Sequence, residues 1–503
     1  MTNILQNLRS TILLYVTKMT LQFIVRVVFL QILTIEYLGL NGLFTNIIEI
    51  LSLTELGIGP AIVYSLYKPL SENNIPIIQS LMYVFKKAYR LVGCFILVVG
   101  AALIPWLDFF VKSQPDIYGF QVIYYLFVFD TGISYFYSYK RNLLIADKKQ
   151  YIVNNIQLIS QILLGVLQII ALFLTKSYWS FLFLKIIDTL LENLYLSRIV
   201  DRIYPYLNRK NIKPIPKEIK VSIITNIKAM ILHKIGGIAV FSTSNILISK
   251  FIGIAVVGTY SNYYMIIRAI DAIGSQAFSS LTANIGHVYL TNDKSEMKEL
   301  FEKIFIVMSF VAFLISVNLF VNINMFISLW LGPQYIFDLN ILVPIVLAFY
   351  ITFIRKPILV LKDAMGLFWN DRYKPIVEAI LNLCLGYVLV NNYGLEGILW
   401  SIVITSIAIP LWFEPYVVMR NGFIYSSLKY SGHIFKGIII TSILTLLCHY
   451  LCDYLFLTDT ILHLIFRVVI SSIVSLIIWC LFYSSNDIVR NFFYRFILIV
   501  FKR

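Results

Sequence analysis

The sequence predicts an all-α integral membrane protein with about fourteen transmembrane helices. Of its 503 residues 59% are hydrophobic and only 13% are charged, whereas soluble domains carry about a quarter charged residues. Apolar runs of about 20 residues, the length that crosses a bilayer, recur from one end of the chain to the other. Lysine and arginine collect in alternate connections between these runs, which is typical of cytoplasmic loops.

The apolar runs give the predicted spans in chain order. The first run is too long for a cleaved signal and carries Lys18 and Arg26, so we expect a permanent helix. The first set is Ile12–Leu33, Leu40–Leu66, Arg90–Phe110, Gly119–Tyr139, Val153–Leu174 and Tyr178–Val200. The second set is Met230–Ile252, Ala255–Leu281, Ile304–Leu331, Ile341–Leu361, Ile376–Val390 and Gly394–Met419, followed by Ile434–Leu455 and Ile461–Tyr483.

The positive charges fix the predicted orientation. The connections on one side of the membrane carry only Lys112, Lys176 and Lys250. The other side is rich in lysine and arginine and is therefore the cytoplasmic one, so both termini should be cytoplasmic. The basic connections are 68–90, 140–149, 198–228, 294–303, 372–374 and 420–429.

A basic, proline-containing linker divides the chain. We expect an N-lobe of six helices (1–201), the linker (202–227), a C-lobe of six helices (228–420), and two further helices with an amphipathic tail (421–503). Tyr37-Leu-Gly-Leu-Asn-Gly-Leu-Phe resembles Phe251-Ile-Gly-Ile-Ala-Val-Val-Gly at the corresponding connection of the second set. Repeats six helices apart are related by a pseudo-two-fold axis along the membrane normal, which is typical of transporters.

Ionisable residues inside spans each cost about 2.5 to 3.5 kcal/mol and should face partners or a cavity. Lys18, Gln22 and Arg26 form a cationic stripe on the first helix, because residues four apart share a face. Other candidates are Glu49 and Glu55 on the second helix, Arg268 and Asp271 on the eighth, Lys234 on the seventh, Arg355 on the tenth and Glu378 on the eleventh.

Two interpretations of these charges are open. They are structural pairs between helices, such as Arg26 with Glu49 or Arg268 with Asp271, or they line a cavity. Cations on helices of both lobes favour the cavity, because transporters of this kind bind substrate between lobes near mid-membrane. Guanidinium groups suit phosphate oxygens, so we expect an anionic, phosphorylated substrate.

Several functional classes are excluded. The net charge of +15 falls in loops and a few spans, so we expect no nucleic acid. Neither a phosphate-binding Gly-x-x-x-x-Gly-Lys-Ser/Thr loop nor a His-Glu-x-x-His motif occurs. Cys448, His449 and Cys452 lack a second ligand pair, so no metal site is expected. We therefore predict no catalytic residue and no cofactor, with energy from a proton or sodium gradient, the membrane potential or the substrate gradient.

Ordered motifs over residues 10–420 carry a family resemblance. They are Tyr37-Leu-Gly-Leu-Asn-Gly-Leu-Phe, Glu55-Leu-Gly-Ile-Gly, Leu66-Tyr-Lys-Pro-Leu, Lys140-Arg-Asn-Leu-Leu-Ile-Ala-Asp, His233-Lys-Ile-Gly-Gly, Ser328-Leu-Trp-Leu-Gly, Lys362-Asp-Ala-Met-Gly-Leu-Phe and Trp412-Phe-Glu-Pro-Tyr. The chain resembles the Wzx-type polysaccharide repeat-unit flippases of the multidrug, oligosaccharidyl-lipid and polysaccharide (MOP) exporter superfamily. It departs from relatives that have Thr-Asp-Asn at one place, since it has Ser at position 244.

The resemblance implies two lobes around a central cavity in the bacterial cytoplasmic membrane. It implies transport of undecaprenyl-diphosphate-linked oligosaccharide from the cytoplasmic to the outer leaflet, beside membrane lipids, polymerase and glycosyltransferases. In this hypothesis Arg26, Arg268, Lys18, Lys234 and Arg355 neutralise the diphosphate. The acids Glu49, Glu55, Asp271 and Glu378 hold these cations or bind coupling ions.

Alternatives within the same fold are export of drugs or metabolites and transport of lipid II. A membrane-embedded glycan polymerase or glycosyltransferase is the alternative from another class. It would need a sizeable outward loop with catalytic carboxylates or arginines. The longest outward connection, Trp106–Tyr118, is too short for that.

Overall fold

The chain folds almost entirely into helices, as the sequence predicts. The structure is a computed structural model that describes residues 2–55, 58–113, 115, 117–208, 220–221, 223, 242–279, 285–286, 288–289, 294–367, 370–421, 426–456 and 458–482. Within these ranges there is no β-strand. The helices are α1 (Thr2–Ile32), α2 (Ile35–Leu51), α3 (Ile58–Ser71), α4 (Ile75–Ala102), α5 (Phe120–Ser138), α6 (Arg141–Ala146), α7 (Gln150–Thr175), α8 (Tyr178–Ile203), α9 (Ile254–Ser279), α10 (Lys294–Leu331), α11 (Leu339–Ile354), α12 (Lys356–Ala364), α13 (Lys374–Ala408), α14 (Pro410–Asn421), α15 (Ser427–Leu455) and α16 (Ile461–Phe482).

Internal contacts divide the chain into two units, 1–261 and 262–503. In the first unit α7 packs against α1 and α8, and α5 packs against α4 and α8. Its core is apolar and aromatic: Leu40, Leu43 and Tyr124 are fully buried, and Phe44 meets Tyr124 edge to face with ring centroids 5.2 Å apart. Such interior packing, rather than helix propensity alone, fixes how the helices lie against each other.

The two resembling glycine motifs pack directly on each other within the first unit. A Cβ on Gly39 of α2 would lie 2.0 Å from the carbonyl oxygen of Ile254, and one on Gly258 of α9 would lie 2.5 Å from the carbonyl oxygen of Ile35. Glycine at both positions lets two helix backbones approach closely, as small residues do in membrane helix pairs. The two copies of the glycine motif are therefore in contact with each other.

In the second unit α10 is the central helix, since α11, α15 and α16 all pack on it. The last two helices are joined to it by polar groups as well as apolar ones. Arg467 of α16 donates to the carbonyl oxygen of Val321 at 2.8 Å and pairs with Asp453 of α15 at 2.8 Å. Asn318 accepts a hydrogen bond from Ser471 at 2.8 Å. Buried bonds of this kind hold helices together where the lipid supplies no hydrophobic driving force.

The helix α13 contains a reversal of the chain. Gly394 has φ 58°, a left-handed conformation that glycine adopts without strain. The Asn382 amide donates to the Ser401 hydroxyl at 3.2 Å, although 19 residues of straight helix would separate them by about 28 Å. The two parts of α13 therefore lie side by side and belong to two spans, as predicted.

In the part of the chain that the structure describes, every predicted span except Met230–Ile252 coincides with a helix or with helices joined end to end. Of that span, only residues 242–252 are described. The span Leu40–Leu66 is broken, because a 3-10 turn at Ser52–Glu55 separates α2 from α3. Among the described residues, seven helices are long and apolar enough to cross a membrane, or eight if the bent pair Ile75–Ala102 and Ile104–Phe110 forms one span. The chain is a multi-pass membrane protein, and the predicted helical fold class is confirmed.

Candidate functional site

The cationic stripe lies on one uninterrupted helix. Lys18, Gln22 and Arg26 all belong to α1, which is helical throughout. Lys18 and Gln22 are exposed, whereas Arg26 is half-buried and donates to the Ser261 hydroxyl at 3.0 Å. The helix rise puts Lys18 and Arg26 about 12 Å apart along the axis. The stripe that the spacing predicts is therefore a continuous cationic face.

The two acids of the second predicted span have different surroundings. Glu49, at the end of α2, accepts a hydrogen bond from the Ser242 hydroxyl at 3.0 Å. Glu55, in the 3-10 turn, accepts from the phenols of Tyr89 at 2.7 Å and Tyr135 at 2.6 Å. Two phenolic donors stabilise an ionised carboxylate. Glu55 is thus tied to α4 and α5.

Arg268 and Asp271, the candidate charges of the eighth predicted span, both lie on α9. Arg268 is exposed and lies over the ring of Tyr264, 4.7 Å from its centroid, a favourable cation–π distance. One turn further on, Asp271 forms an ion pair with Lys356 at 2.8 Å, and Lys356 also donates to Ser275 at 2.6 Å. Asp271 therefore connects α9 to the start of α12.

A buried triad of charges lies in the second unit. Arg355, between α11 and α12, donates to both oxygens of Glu414, at 2.9 and 2.7 Å. Lys374, at the start of α13, also pairs with Glu414. The carboxylate of Glu414 is fully buried. Glu378, one turn along α13, interacts electrostatically with Arg355 and Lys374. Arg355 and Glu378, which the sequence singles out, thus meet at one place.

The sequence analysis missed the centre of this triad. Glu414 stands inside the motif Trp412-Phe-Glu-Pro-Tyr, and its position in an apolar span was the available signal. Lys374 was missed as a partner because it precedes a proline and was assigned to a basic connection, and Lys356 was missed although it lies inside the predicted span Ile341–Leu361. Lys362 and Asp371, both buried, form a further pair at 2.5 Å beside the triad.

The remaining predicted residue, Lys234, lies outside the described residues. Ser244, where the sequence departs from the family that it resembles, is described and is buried. Within the first unit the structure brings together Arg26 with Ser261, and Glu49 with Ser242. Within the second unit Asp271 pairs with Lys356, Arg355 pairs with Glu414, and Glu378 interacts with Lys374. The sequence analysis did not single out these three partners as site residues.

Comparisons with known proteins concern both sequence and fold. The family profile described as "Polysaccharide biosynthesis protein" matches residues 4–282. None of the curated protein sequences compared with the chain matches it.

Solved structures share the fold. The structure titled "Lipid II flippase MurJ, inward closed conformation" is 13% identical, with TM-score 0.64 over 95% of this chain and 99% of the other. An inward-facing multidrug resistance MATE family transporter of the MOP superfamily is 13% identical, with TM-score 0.62 over 80% of this chain and 96% of the other. A Vibrio cholerae MATE transporter is 13% identical, with TM-score 0.54 over 83% and 97%. The chain therefore has the fold of these transporters.

Proposed function

We propose that the chain, which belongs to the polysaccharide biosynthesis protein family, is a flippase for polyprenyl-diphosphate-linked oligosaccharide repeat units. It carries the repeat unit from the cytoplasmic to the outer leaflet by alternating access, while the polyprenyl tail stays in lipid. Membership of the family supplies the polysaccharide context, and the transporter fold supplies the means of crossing the membrane. The substrate itself follows from the charges.

The observation that carries the proposal is the cationic face of α1. Lys18 and Arg26 lie on one continuous helix that spans the membrane, about 12 Å apart along its axis. A diphosphate is a strong, multivalent oxygen acceptor, and charge-assisted bonds from lysine and arginine are the strongest that side chains offer it. An organic cation would be repelled by the same face, so this face favours an anionic cargo.

The other predicted residues bind the diphosphate, position neighbouring groups or bind a coupling ion in this proposal. Arg268 on α9 and Lys234 are further diphosphate-binding cations. Arg355 instead positions Glu414 and Lys374, because both its donor edges are directed at that carboxylate. The acids Glu49, Glu55, Asp271 and Glu378 hold neighbouring groups or bind a coupling proton or sodium ion.

The proposed setting is the bacterial cytoplasmic membrane, with both termini on the cytoplasmic side. Glycosyltransferases that complete the repeat unit would act before the flippase, and a polymerase would act after it on the outer face. No cofactor is proposed. A proton or sodium gradient, or the membrane potential, drives the cycle.

The test is leaflet transfer in proteoliposomes. A polyprenyl-diphosphate oligosaccharide carrying a fluorophore on its sugar is bleached by membrane-impermeant dithionite only when the sugar faces outward. The expected result is full bleaching with the wild-type protein, and a slow phase of bleaching about tenfold slower with Arg26→Ala, since a loss of about 1.4 kcal/mol in binding corresponds to a factor of ten. Lys68→Ala, a change at a side chain 84% exposed near the end of α3, is the matched control and should transfer like the wild type.

Rival substrates are tested in the same vesicles. Faster transfer of labelled lipid II than of the oligosaccharide would assign the protein to that cargo. Uptake of an organic cation, with no transfer of either lipid, would replace the proposal by drug or metabolite export. Wild-type transfer by both Arg26→Ala and Lys18→Ala would remove the claim that the α1 face binds the diphosphate.

A further inference from the structure

Three carboxylates meet inside the helices of the first unit, at a place that the sequence analysis did not single out. They are Asp130 of α5 and the pair Asp188 and Glu192 of α8. Asp130 and Asp188 lie near the middle of their helices, since each is about the eleventh residue and α8 is about 39 Å long. This depth corresponds to the membrane interior, where a carboxylate needs compensation.

Two of the three acids have a cationic partner. Arg141 of α6 pairs with Glu192 at 2.7 Å, and the Gln157 amide donates to the same oxygen of Glu192 at 3.2 Å. Lys185, one turn before Asp188, lies 3.5 Å from the Oδ2 atom of Asp130. Each of these ammonium or guanidinium groups compensates one negative charge.

Asp188 differs from the other two acids in the groups that contact it. Its contact is with a neutral group, because the Ser160 hydroxyl of α7 donates to its Oδ1 atom at 2.5 Å. The charged groups that act on it are the other two carboxylates, Glu192 and Asp130. Around this point three negative charges therefore face two positive ones, and the excess falls on Asp188.

A second feature points to a missing ligand. The Oδ1 atom of Asp130 has no hydrogen-bond donor among the described residues, although more than nine-tenths of Asp130 is buried. A buried carboxylate oxygen normally has a donor. A proton added to one carboxylate of this cluster would cancel the excess negative charge and would create an O–H donor.

Several other charges on the neighbouring helices have partners of their own. On α8 Asp201 pairs with Lys140 at 2.7 Å, more than two turns beyond Glu192. Against α5, Glu55 is bonded to Tyr135, and on α1, which packs against α7, Arg26 is bonded to Ser261. Between residues 154 and 168, α7 contributes only neutral side chains.

We propose that this cluster of Asp130, Asp188 and Glu192 is a proton-binding site, with Asp188 as the group that takes up the proton. The proton adds to one carboxylate oxygen of Asp188, and no other bond forms or breaks. A metal cation fits less well, because it needs several oxygens at once and Lys185 and Arg141 already occupy the neighbouring acids. The role of this site in driving transport rests on the proposed function, whereas proton binding itself needs no substrate.

The test is infrared difference spectroscopy of the purified full-length protein in lipid nanodiscs, between acidic and alkaline pH. Labelling with ¹³C-aspartate identifies the C=O stretch of a protonated aspartic acid. The wild type should show this band at acidic pH, and Asp188→Asn should lose it. Asp201→Asn, which changes an ion-paired aspartate of the same helix, should keep it.

A second variant keeps the site testable if Asp188→Asn does not fold. Ser160→Ala preserves the carboxylate and removes its hydroxyl neighbour, so the band should persist at a shifted frequency. Persistence of the unshifted band in folded Asp188→Asn, or an unshifted band in Ser160→Ala, would overturn the assignment. Loss of the wild-type band when sodium replaces choline would show a sodium site instead. None of these outcomes depends on leaflet transfer, so failure here is separable from failure of the flippase proposal.

Discussion

Replacing Glu414 by glutamine should strongly destabilise the second unit. The change keeps the shape of the side chain but removes the negative charge that Arg355 and Lys374 share. With Glu378 nearby, the group changes from two cations and two acids to two cations and one acid. Breaking a buried ion pair by removing one partner costs about 3 to 5 kcal/mol. Because 1 kcal/mol corresponds to about 2 °C or more in a unit of this size, the midpoint should fall by at least about 6 °C.

The assay is thermal unfolding in detergent, followed by the loss of the monodisperse peak in size-exclusion chromatography. The matched control is Glu299→Gln, which removes an exposed acid paired with Lys303 one turn away. Such exposed pairs contribute about 0.3 to 0.5 kcal/mol, so this variant should unfold within about 2 °C of the wild type.

A second substitution that restores the balance of charge tests this explanation. Adding Lys374→Met to Glu414→Gln restores equal numbers of cations and acids, so the double variant should be more stable than Glu414→Gln alone. A midpoint for Glu414→Gln as close to the wild type as that of Glu299→Gln would refute the claim that this carboxylate compensates two buried cations.

Three further changes test the packing. Gly39→Ala should destabilise the protein by about 1 to 3 kcal/mol, because the added Cβ would lie 2.0 Å from a backbone oxygen. The control is Gly432→Ala, whose added Cβ would have no atom within 4 Å, and this change should not lower the unfolding midpoint. Asn382→Ala should destabilise by about 1 kcal/mol through the lost bond to Ser401, and an unchanged midpoint would argue against the hairpin in α13. Arg467→Met should make the segment after α14 more sensitive to limited proteolysis, because it removes the bonds that join α16 to α10 and α15; protection equal to the wild type would contradict this.

Much of the fold could be predicted because hydrophobic length is read directly from the sequence. A run of about 20 apolar residues has few structural alternatives in lipid. The broken second span was harder to predict, because Ser52 and Glu55 look like the continuation of an amphipathic face. The structure shows that Glu55 faces Tyr89 and Tyr135 from a 3-10 turn instead.

The candidate site could be predicted only in part. Spacing within one helix shows that Lys18 and Arg26 share a face, because the periodicity of a helix fixes this. Spacing does not show which residue of another helix lies opposite. Lys356 meets Asp271, and Glu414 meets Arg355, through tertiary packing between segments 85 and 59 residues apart, and no local pattern in the sequence specifies those pairs.

The balance of charge separates structural from functional groups better than burial does. In the second unit the described cluster has four cations, Arg355, Lys356, Lys362 and Lys374, and four acids, Asp271, Asp371, Glu378 and Glu414. It is neutral without any ligand, so it can stay unchanged through a transport cycle. The Asp188 cluster is one positive charge short among the described residues, so uptake of one proton would balance it. We therefore expect the infrared band to survive Asp371→Asn and to disappear with Asp188→Asn. The opposite pattern would place proton binding in the second unit and reverse this assignment.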